Sequence, residues 1–157
     1  MRVGIGRDTH RLAEGRRLVV GGIELDSDAG AVAHSDGDAL LHAIIDAMLG
    51  AAALGDIGEL FPDTDPQYKG ADSRRLLARA NALLAKHGFR VAQADATVVL
   101  ERPKLGPFKQ KMRENIATDL GLPQSAVNVK AKTAEGLGAV GRGEAIMAEA
   151  VVTLEET

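Results

Sequence analysis

The sequence contains no cysteine and no tryptophan, and aromatic residues occupy only 3% of its 157 positions. The lack of cysteine excludes disulfides and thiolate metal sites, and it is compatible with a reducing compartment. With so few aromatic side chains, Ala, Val, Leu and Ile must fill the core. Apolar residues amount to 45% of the sequence, which is enough for one core, and we expect a single domain over residues 1–157.

A strong excess of either charge is also missing. The chain has 19 Lys and Arg residues and 22 Asp and Glu residues, which gives a net charge of −3 at pH 7. This balance predicts no nucleic-acid or membrane partner, so any site for an anion must be local. Neither a signal peptide nor an apolar run long enough to span a bilayer is visible, and we expect a cytoplasmic protein.

Strand and helix patterns alternate along the chain. Strands are predicted over 2–7, 90–101, 126–132 and 145–156, a hairpin over 16–26 turning at Gly21 and Gly22, and helices over 38–54, 73–87 and 103–121. The segment 54–73 is rich in Gly, Pro and Asp, and it is predicted to be a loop with one helical turn. This order predicts an α+β fold, an α/β sandwich with a mixed β-sheet and helices packed on one face.

Two polar side chains follow the first predicted strand. Asp8 and His10 are two residues apart, so in an extended chain they project from the same face. A carboxylate and an imidazole are suitable ligands for a divalent metal. A surface Asp and His at a strand end would give the same pattern.

The helix that contains His42 is otherwise apolar almost all round. The polar positions within it are Asp38, His42 and Asp46, which are four residues apart and form one narrow stripe. The stripe can be a self-satisfied network or a solvent-facing row, or His42 can be a metal ligand whose other ring nitrogen is oriented by a neighbouring Asp. In the last case, Asp8, His10 and His42 form a three-ligand site that suits Zn²⁺ with its fourth position open.

The segment that enters this helix offers capping residues and an unexplained histidine. Ser35 and Asp36 are both good N-caps, and Ser35-x-x-Asp38 resembles a capping box. These features do not explain His34. An imidazole at a helix N-terminus is well placed to contact a bound anion.

A glycine-rich segment near the C-terminus matches the dinucleotide-binding pattern. Gly136, Gly138 and Gly141 have the required spacing, but a strand rather than a helix is predicted to follow. We therefore reject dinucleotide binding and expect a tight connection. Arg142 and Glu144 are expected to project from it at a subunit contact or an anion site.

The end of the strand before these glycines carries a second polar group. Lys132, Thr133 and Glu135 provide a cation, a hydroxyl and a carboxylate, which suit a phosphate and a second, harder metal. An ordinary solvated strand end remains the alternative. The turn over 102–107, with Lys104, is compatible with holding a base or a phosphate.

These segments together resemble the 2-C-methyl-D-erythritol 2,4-cyclodiphosphate synthases of the non-mevalonate isoprenoid pathway. The resemblance is carried by GRDTHRL, AHSDGDALLHAIIDAMLGAAALGDIGELFPDTDPQYKGADS, ERPKLGP, VNVKAKTAEGLG and GRGE, which span most of the chain. It implies a CMP-releasing lyase acting on 4-diphosphocytidyl-2-C-methyl-D-erythritol 2-phosphate. The 2-phosphate would attack the β-phosphorus and form an eight-membered cyclic diphosphate. The resemblance also implies a cytoplasmic, bacterial homotrimer with active sites between neighbouring subunits.

The resemblance further implies a role for individual residues. Zn²⁺ would be bound by Asp8, His10 and His42, with a β-phosphate oxygen as fourth ligand, and Mg²⁺ or Mn²⁺ by Glu135. His34 and Thr133 would stabilise the phosphates as catalytic residues, with Ser35 in contact. The matching erythritol pocket comprises Asp56, Ile57, Gly58, Phe61, Pro62, Asp63, Thr64 and Asp65. The matching cytidine site comprises Leu100, Glu101, Arg102, Pro103, Lys104, Leu105, Gly106, Ala131, Lys132 and Thr133. Further substrate contacts are expected at the positions of Ala139 and Arg142.

One position departs from the family pattern. Many members have phenylalanine where this chain has Ala139, near the trimer axis, so binding of isoprenoid diphosphates in the axial cavity is in doubt.

Two other functions remain open. The same ligands would suit a zinc phosphoester hydrolase, and the chain would also suit a trimeric, non-enzymatic binding protein for diphosphates.

Overall fold

The computed structural model describes residues 1–157. Its strands are β1 (Arg2–Glu14), β2 (Leu18–Val20), β3 (Ile23–Leu25), β4 (Ala29–Ala31), β5 (Phe89–Val99), β6 (Val127–Lys132) and β7 (Ala145–Glu156). Its helices are α1 (Ala39–Ala52), α2 (Ile57–Leu60), α3 (Ser73–Lys86), α4 (Lys109–Leu120) and α5 (Gly138–Gly141). Short 3₁₀ turns cover Pro66–Tyr68, Gly106–Phe108 and Gln124–Ala126.

Five strands form one mixed sheet in the order β4-β1-β7-β5-β6. Strands β5 and β6 are parallel, whereas the other neighbouring strands are antiparallel. The predicted hairpin is confirmed, and β2 and β3 pair as a separate two-stranded sheet. The mixed α+β architecture predicted from the alternating pattern is therefore confirmed.

The three longer helices cover one face of the sheet. Helix α1 lies against β1, β7 and β5, while α3 packs on α1 and α4 packs on β6. Alternate side chains of β7 are buried beneath the helices, namely Ile146, Ala148, Ala150, Val152 and Leu154. On the opposite face Val3 and Ile5 are more than half exposed. No helix combines the length and apolar character needed to cross a membrane.

The element boundaries differ from the predicted ones mainly in the first strand. The sequence predicts that it ends at residue 7, but β1 continues to Glu14 because it pairs first with β7 and then with β4. Asp8 and His10 therefore lie inside a strand. The third helix begins at Lys109 instead of residue 103, since Gly106–Phe108 forms a 3₁₀ turn. Strand β4 was not predicted.

Candidate functional site

Strand β1 passes so close to helix α1 that only glycine fits at the contact. A Cβ atom at Gly6 would lie 2.0 Å from the carbonyl oxygen of Ala43, and one at Gly4 would lie equally close to the helix backbone. Alternate residues of a strand share one face. Asp8 and His10 continue the face of these glycines, so their side chains project toward α1, which carries the third candidate ligand.

The three predicted ligands converge where β1 meets α1. The carboxylate Oδ2 of Asp8 lies 2.7 Å from Nε2 of His10 and 3.2 Å from Nδ1 of His42. The two imidazole nitrogens are 3.2 Å apart. All candidate ligand atoms of the cluster lie within 4.8 Å of one another. The predicted convergence is confirmed, and two imidazole nitrogens with one carboxylate oxygen form a donor set that fits Zn²⁺.

The charges of these side chains support one another. Burial alone would raise the pKa of Asp8, but the hydrogen bond from Nε2 of His10 and the proximity of the two imidazoles outweigh it and hold this pKa well below its usual range. Burial would lower the pKa of His10, and the Asp8 carboxylate reverses this effect and raises it. Asp8 is therefore ionised, as a metal ligand must be.

The second ring nitrogen of His42 contacts hydroxyl groups and no aspartate. Its Nε2 lies 2.8 Å from Oγ of Ser73 and 3.3 Å from Oγ of Ser35. The hypothesis that a neighbouring Asp of the stripe orients His42 is wrong, because Asp38 and Asp46 bond backbone amides elsewhere. The hydroxyl of Ser73 takes that place.

The predicted N-cap is also wrong. The cap of α1 is Asp38, whose side chain accepts the amide of Leu41 at 3.1 Å, whereas Ser35 and Asp36 precede the helix. Asp36 instead accepts the backbone N–H of Ser73 at 3.0 Å, and it also accepts the hydroxyl of Ser73. The HSDGD segment is thereby joined to the start of α3.

Asp38 is fully buried and has a structural role. Its carboxylate also accepts the amides of Gly21 and Gly22 at 2.9 and 2.7 Å, which ties the β2–β3 turn to α1. Burial raises its pKa to about 6, although these hydrogen bonds act in the opposite direction. Asp46, the last polar residue of the stripe, also has a structural role. Its carboxylate accepts the amide of Ile57 at 3.1 Å and holds the start of α2.

A pocket of about 450 Å³ adjoins the metal ligands. Its lining contains predicted site residues from three segments, namely His10, His34, Ser35, His42, Ile57, Gly58, Phe61, Pro62 and Asp63. Asp56, Thr64 and Asp65 lie next to this lining, and the Asp56 carboxylate caps α2 through the amide of Glu59. A metal bound by the cluster would therefore face a cavity large enough for a small molecule.

Hydrogen bonds join the pocket loop to the entry of α1. Nε2 of His34 donates to the carbonyl of Asp65 at 2.9 Å, and the amide of Gly70 donates to the carbonyl of His34 at 2.7 Å. Phe61 and Tyr68 pack edge to face in the same loop, with ring centroids 5.3 Å apart. The loop is thus fixed to the segment that precedes the metal-ligating helix.

A second group of predicted residues lies where β5 and β6 end. The amide of Leu100 donates to the carbonyl of Lys132 at 2.9 Å. The carboxylate of Glu101 accepts the amides of Ala134 and Gly136 at 3.0 and 3.1 Å. Between these amides, Glu135 has a φ of 54°. Glu101 thus fixes the loop that carries Glu135 and Thr133, and within one chain this group does not line the 450 Å³ pocket.

The residues near the glycine-rich segment line a different cavity. Arg102, Pro103 and Arg142 border a space of about 540 Å³, together with Glu144. Arg142 and Glu144 form an exposed ion pair at 3.1 Å. The one-turn helix α5 lies within the glycine pattern, and β7 follows it, as expected when dinucleotide binding was rejected.

The contact of Ser73 with His42, and that of Asp36 with Ser73, were not identified from the sequence. Ser73 and Asp36 are 37 positions apart, and each has an ordinary capping or turn role in the sequence pattern. Only the packing of α3 beside α1 brings them together. No local pattern signals this contact.

The fold and the site define an α+β protein in which two histidines and an aspartate form a candidate metal site beside a pocket. The chain belongs to the YgbB family, whose model matches residues 1–155. It is 54% identical to the 2-C-methyl-D-erythritol 2,4-cyclodiphosphate synthase of Chloroherpeton thalassium over 156 residues, which is 99% of either chain.

Solved structures agree with this assignment. The chain superposes on the bifunctional IspDF of Campylobacter jejuni with a TM-score of 0.95 and 44% identity, covering 99% of this chain and 42% of that chain. A structure of 2C-methyl-D-erythritol-2,4-cyclodiphosphate synthase in a CDP-bound form gives a TM-score of 0.90 at 45% identity. That match covers 98% of this chain and all of the other.

Proposed function

We propose that the chain is a CMP-releasing phosphorus–oxygen lyase of isoprenoid biosynthesis. It converts 4-diphosphocytidyl-2-C-methyl-D-erythritol 2-phosphate to 2-C-methyl-D-erythritol 2,4-cyclodiphosphate. An oxygen of the 2-phosphate bonds to the β-phosphorus, the bond from the β-phosphorus to the bridging oxygen breaks, and CMP leaves with that oxygen. The convergence of Asp8, His10 and His42 beside the pocket carries this proposal, and the names of the relatives support it.

The cluster of Asp8, His10 and His42 fits one metal ion, and a second divalent ion is proposed at Glu135. Asp8, His10 and His42 would hold Zn²⁺, and Glu135 would hold Mg²⁺ or Mn²⁺ together with substrate phosphates. When bound, the two ions supply positive charge that offsets the charge of the reacting phosphates.

His34 and Ser35 are proposed to hold a phosphate near the N-terminus of α1. Because Nε2 of His34 donates to the carbonyl of Asp65, a neutral imidazole would present only a lone pair at Nδ1. A phosphate at Nδ1 therefore requires the imidazolium form. The hydroxyl of Ser35 accepts the amide of Gly37 at 3.2 Å, so its proton can be donated to a phosphate oxygen.

The organic parts of the substrate are assigned to the two groups of residues described above. The erythritol would lie against Asp56, Ile57, Gly58 and the loop from Phe61 to Asp65, and the cytidine against Leu100 to Gly106 and Ala131 to Thr133. Thr133 would contact the phosphates.

No side chain is needed to deprotonate the attacking phosphate, because it is already anionic. Holding it beside the β-phosphorus supplies much of the acceleration.

A homotrimer would bring these two groups into one site. Within one chain the cytidine residues lie outside the metal-side pocket, so a neighbouring subunit would provide them. The open face of the sheet offers a surface for this assembly, since Val3, Ile5 and Val151 are exposed there and Ile5 pairs with Val151. Ala139, Arg142 and Glu144 would lie toward the trimer axis.

Product analysis tests the reaction directly. With the natural substrate, zinc and Mg²⁺, phosphorus NMR should show equal amounts of CMP and the cyclic diphosphate. A linear diphosphate as the main product would indicate a hydrolase, and tight binding without any CMP would indicate a binding protein. Sedimentation of the wild type should give a trimer, and Ile5→Glu should dissociate it.

A further inference from the structure

The imidazole of His42 is held on its side remote from the metal site by a buried hydroxyl. Ser73 is fully buried and His42 is only 8% exposed, so water does not compete for this contact. Nε2 of His42 lies 2.8 Å from Oγ of Ser73. The hydroxyl of Ser73 also contacts the carboxylate of Asp36, which accepts the backbone amide of Ser73 as well.

The direction of these hydrogen bonds follows from the available protons. A carboxylate only accepts, so the single hydroxyl proton of Ser73 goes to Asp36. The oxygen of Ser73 is then left to accept a proton from Nε2 of His42. Nδ1 of His42 faces Asp8 and His10, and Nε2 of His10 lies within hydrogen-bond distance of both. With the proton of His42 held at Nε2 by Ser73, its Nδ1 can accept the Nε2–H of His10 in the metal-free site and bind a metal ion in its place.

We propose that Ser73 and Asp36 are positioning residues that fix His42 in the tautomer required for binding a metal. This inference rests on the zinc site of the proposed function. Neither residue belongs to the metal-ligand cluster or lines the 450 Å³ pocket, so both would act through the His42 ring. A histidine ligand held in this way by a partner of its second nitrogen binds metal more tightly.

The hydroxyl of Ser35 is the competing partner, and the geometry favours Ser73. Ser35 lies 3.3 Å from Nε2, compared with 2.8 Å for Ser73. Ser35 has no carboxylate partner that would fix its proton, and it accepts the amide of Gly37. It therefore does not determine which nitrogen of His42 is protonated.

Zinc affinity provides the first test. The dissociation constant of zinc is measured by competition with a chromophoric chelator in wild type, Ser73→Ala and Asp36→Asn. It should rise about 10- to 100-fold in both variants. In Asp36→Asn the side chain keeps its size, but an amide donor replaces one acceptor oxygen. A proton of Ser73 turned toward Nε2 would then favour the wrong tautomer.

A neighbouring variant controls for a general loss of structure. Asp72 caps α3 by accepting the amide of Arg74 at 2.9 Å and has no contact with His42. Asp72→Ala should lower the unfolding midpoint at least as much as Ser73→Ala, while zinc affinity stays within about twofold of wild type. Loss of stability alone would instead weaken zinc binding in all three variants.

The tautomer itself gives a second readout that does not depend on metal or turnover. In metal-free protein with ¹⁵N-labelled histidine, long-range proton–nitrogen correlation should show His42 protonated at Nε2, with the Nδ1–H form increasing in Asp36→Asn. Equal zinc affinity of wild type and Ser73→Ala would overturn this inference alone. A wild type that binds no zinc would overturn the proposed metal site together with it.

Discussion

The carboxylate of Asp46 accepts the backbone N–H of Ile57 at 3.1 Å. This contact joins α1 to the segment that lines the pocket, and it directs Asp46 away from the ring of His42. Among the alternatives that the sequence left open was a different role, in which Asp46 supports the metal ligand. In the structure Asp46 instead anchors Ile57, which lines the pocket.

Replacing Asp46 should therefore affect substrate binding and leave zinc binding unchanged. In Asp46→Ala the amide of Ile57 loses its acceptor, so KM should rise about 10-fold, while zinc affinity stays within about twofold of wild type. Asp46→Asn is the matched control, since its amide oxygen can still accept this bond. A loss of zinc in Asp46→Ala with an unchanged KM would restore the sequence-based hypothesis.

The close approach of β1 and α1 predicts a strong effect of a single methyl group. In Gly6→Ala the new Cβ would collide with the carbonyl of Ala43 and push the strand away from the helix. The free energy of unfolding should fall by about 3 kcal/mol, and zinc affinity should fall more than about tenfold. Thr9→Ala, on the opposite face of the same strand, should change neither by much. Urea unfolding and chelator competition measure both quantities, and a Gly6→Ala variant as stable as wild type would contradict the packing described here.

Glu101 should control the second metal without binding it. Its two carboxylate oxygens accept the amides on either side of Glu135, whereas the amide group of Gln offers only one acceptor. In Glu101→Gln the Mg²⁺ concentration for half-maximal rate should rise about tenfold, with zinc content unchanged. Glu135→Gln, which removes the proposed ligand, should not recover at any Mg²⁺ concentration. An unchanged Mg²⁺ dependence in Glu101→Gln would show that this loop is held by other contacts.

Because Asp38 is buried, we expect the free energy of unfolding to fall as pH rises. Burial raises its pKa from 3.8 to about 6 in the folded state, so folding takes up a proton between these values. The contribution of Asp38 is therefore lost as pH increases from about 4 to 6, by about 2 to 3 kcal/mol. Asp38→Asn removes the titrating group, whereas Asp26→Asn removes an exposed carboxyl and should keep the slope. Parallel curves for wild type and Asp38→Asn in urea unfolding between pH 4 and 7 would contradict this assignment.

The elements with strong periodicity were predicted correctly from the sequence. The alternation of apolar residues over 145–156 and the leucine stripe over 73–87 each reflect burial of one face, and burial decides the structure there. The end of β1 was missed because charged side chains replace the apolar pattern after Gly6. Pairing with β7, which is remote in the sequence, continues the strand.

The candidate metal ligands could be identified from the sequence, but their supporting contacts could not. Asp8 and His10 share a strand face, and His42 is a polar residue in an apolar helix, so each is conspicuous locally. The partner of His42 depends on where α3 packs, which no local pattern determines. For the same reason the sequence suggested Ser35 or Asp36 as the cap of α1, while the structure uses Asp38.

Zinc content and turnover of His42→Ala, compared with wild type, test the central claim most directly. Wild type equilibrated with a zinc buffer and desalted should retain one zinc per chain, and His42→Ala should retain none. CMP release by the variant should fall at least about 10³-fold, even with added Mg²⁺. If His42→Ala released CMP at the wild-type rate in metal-free buffer, the zinc-dependent account would be wrong.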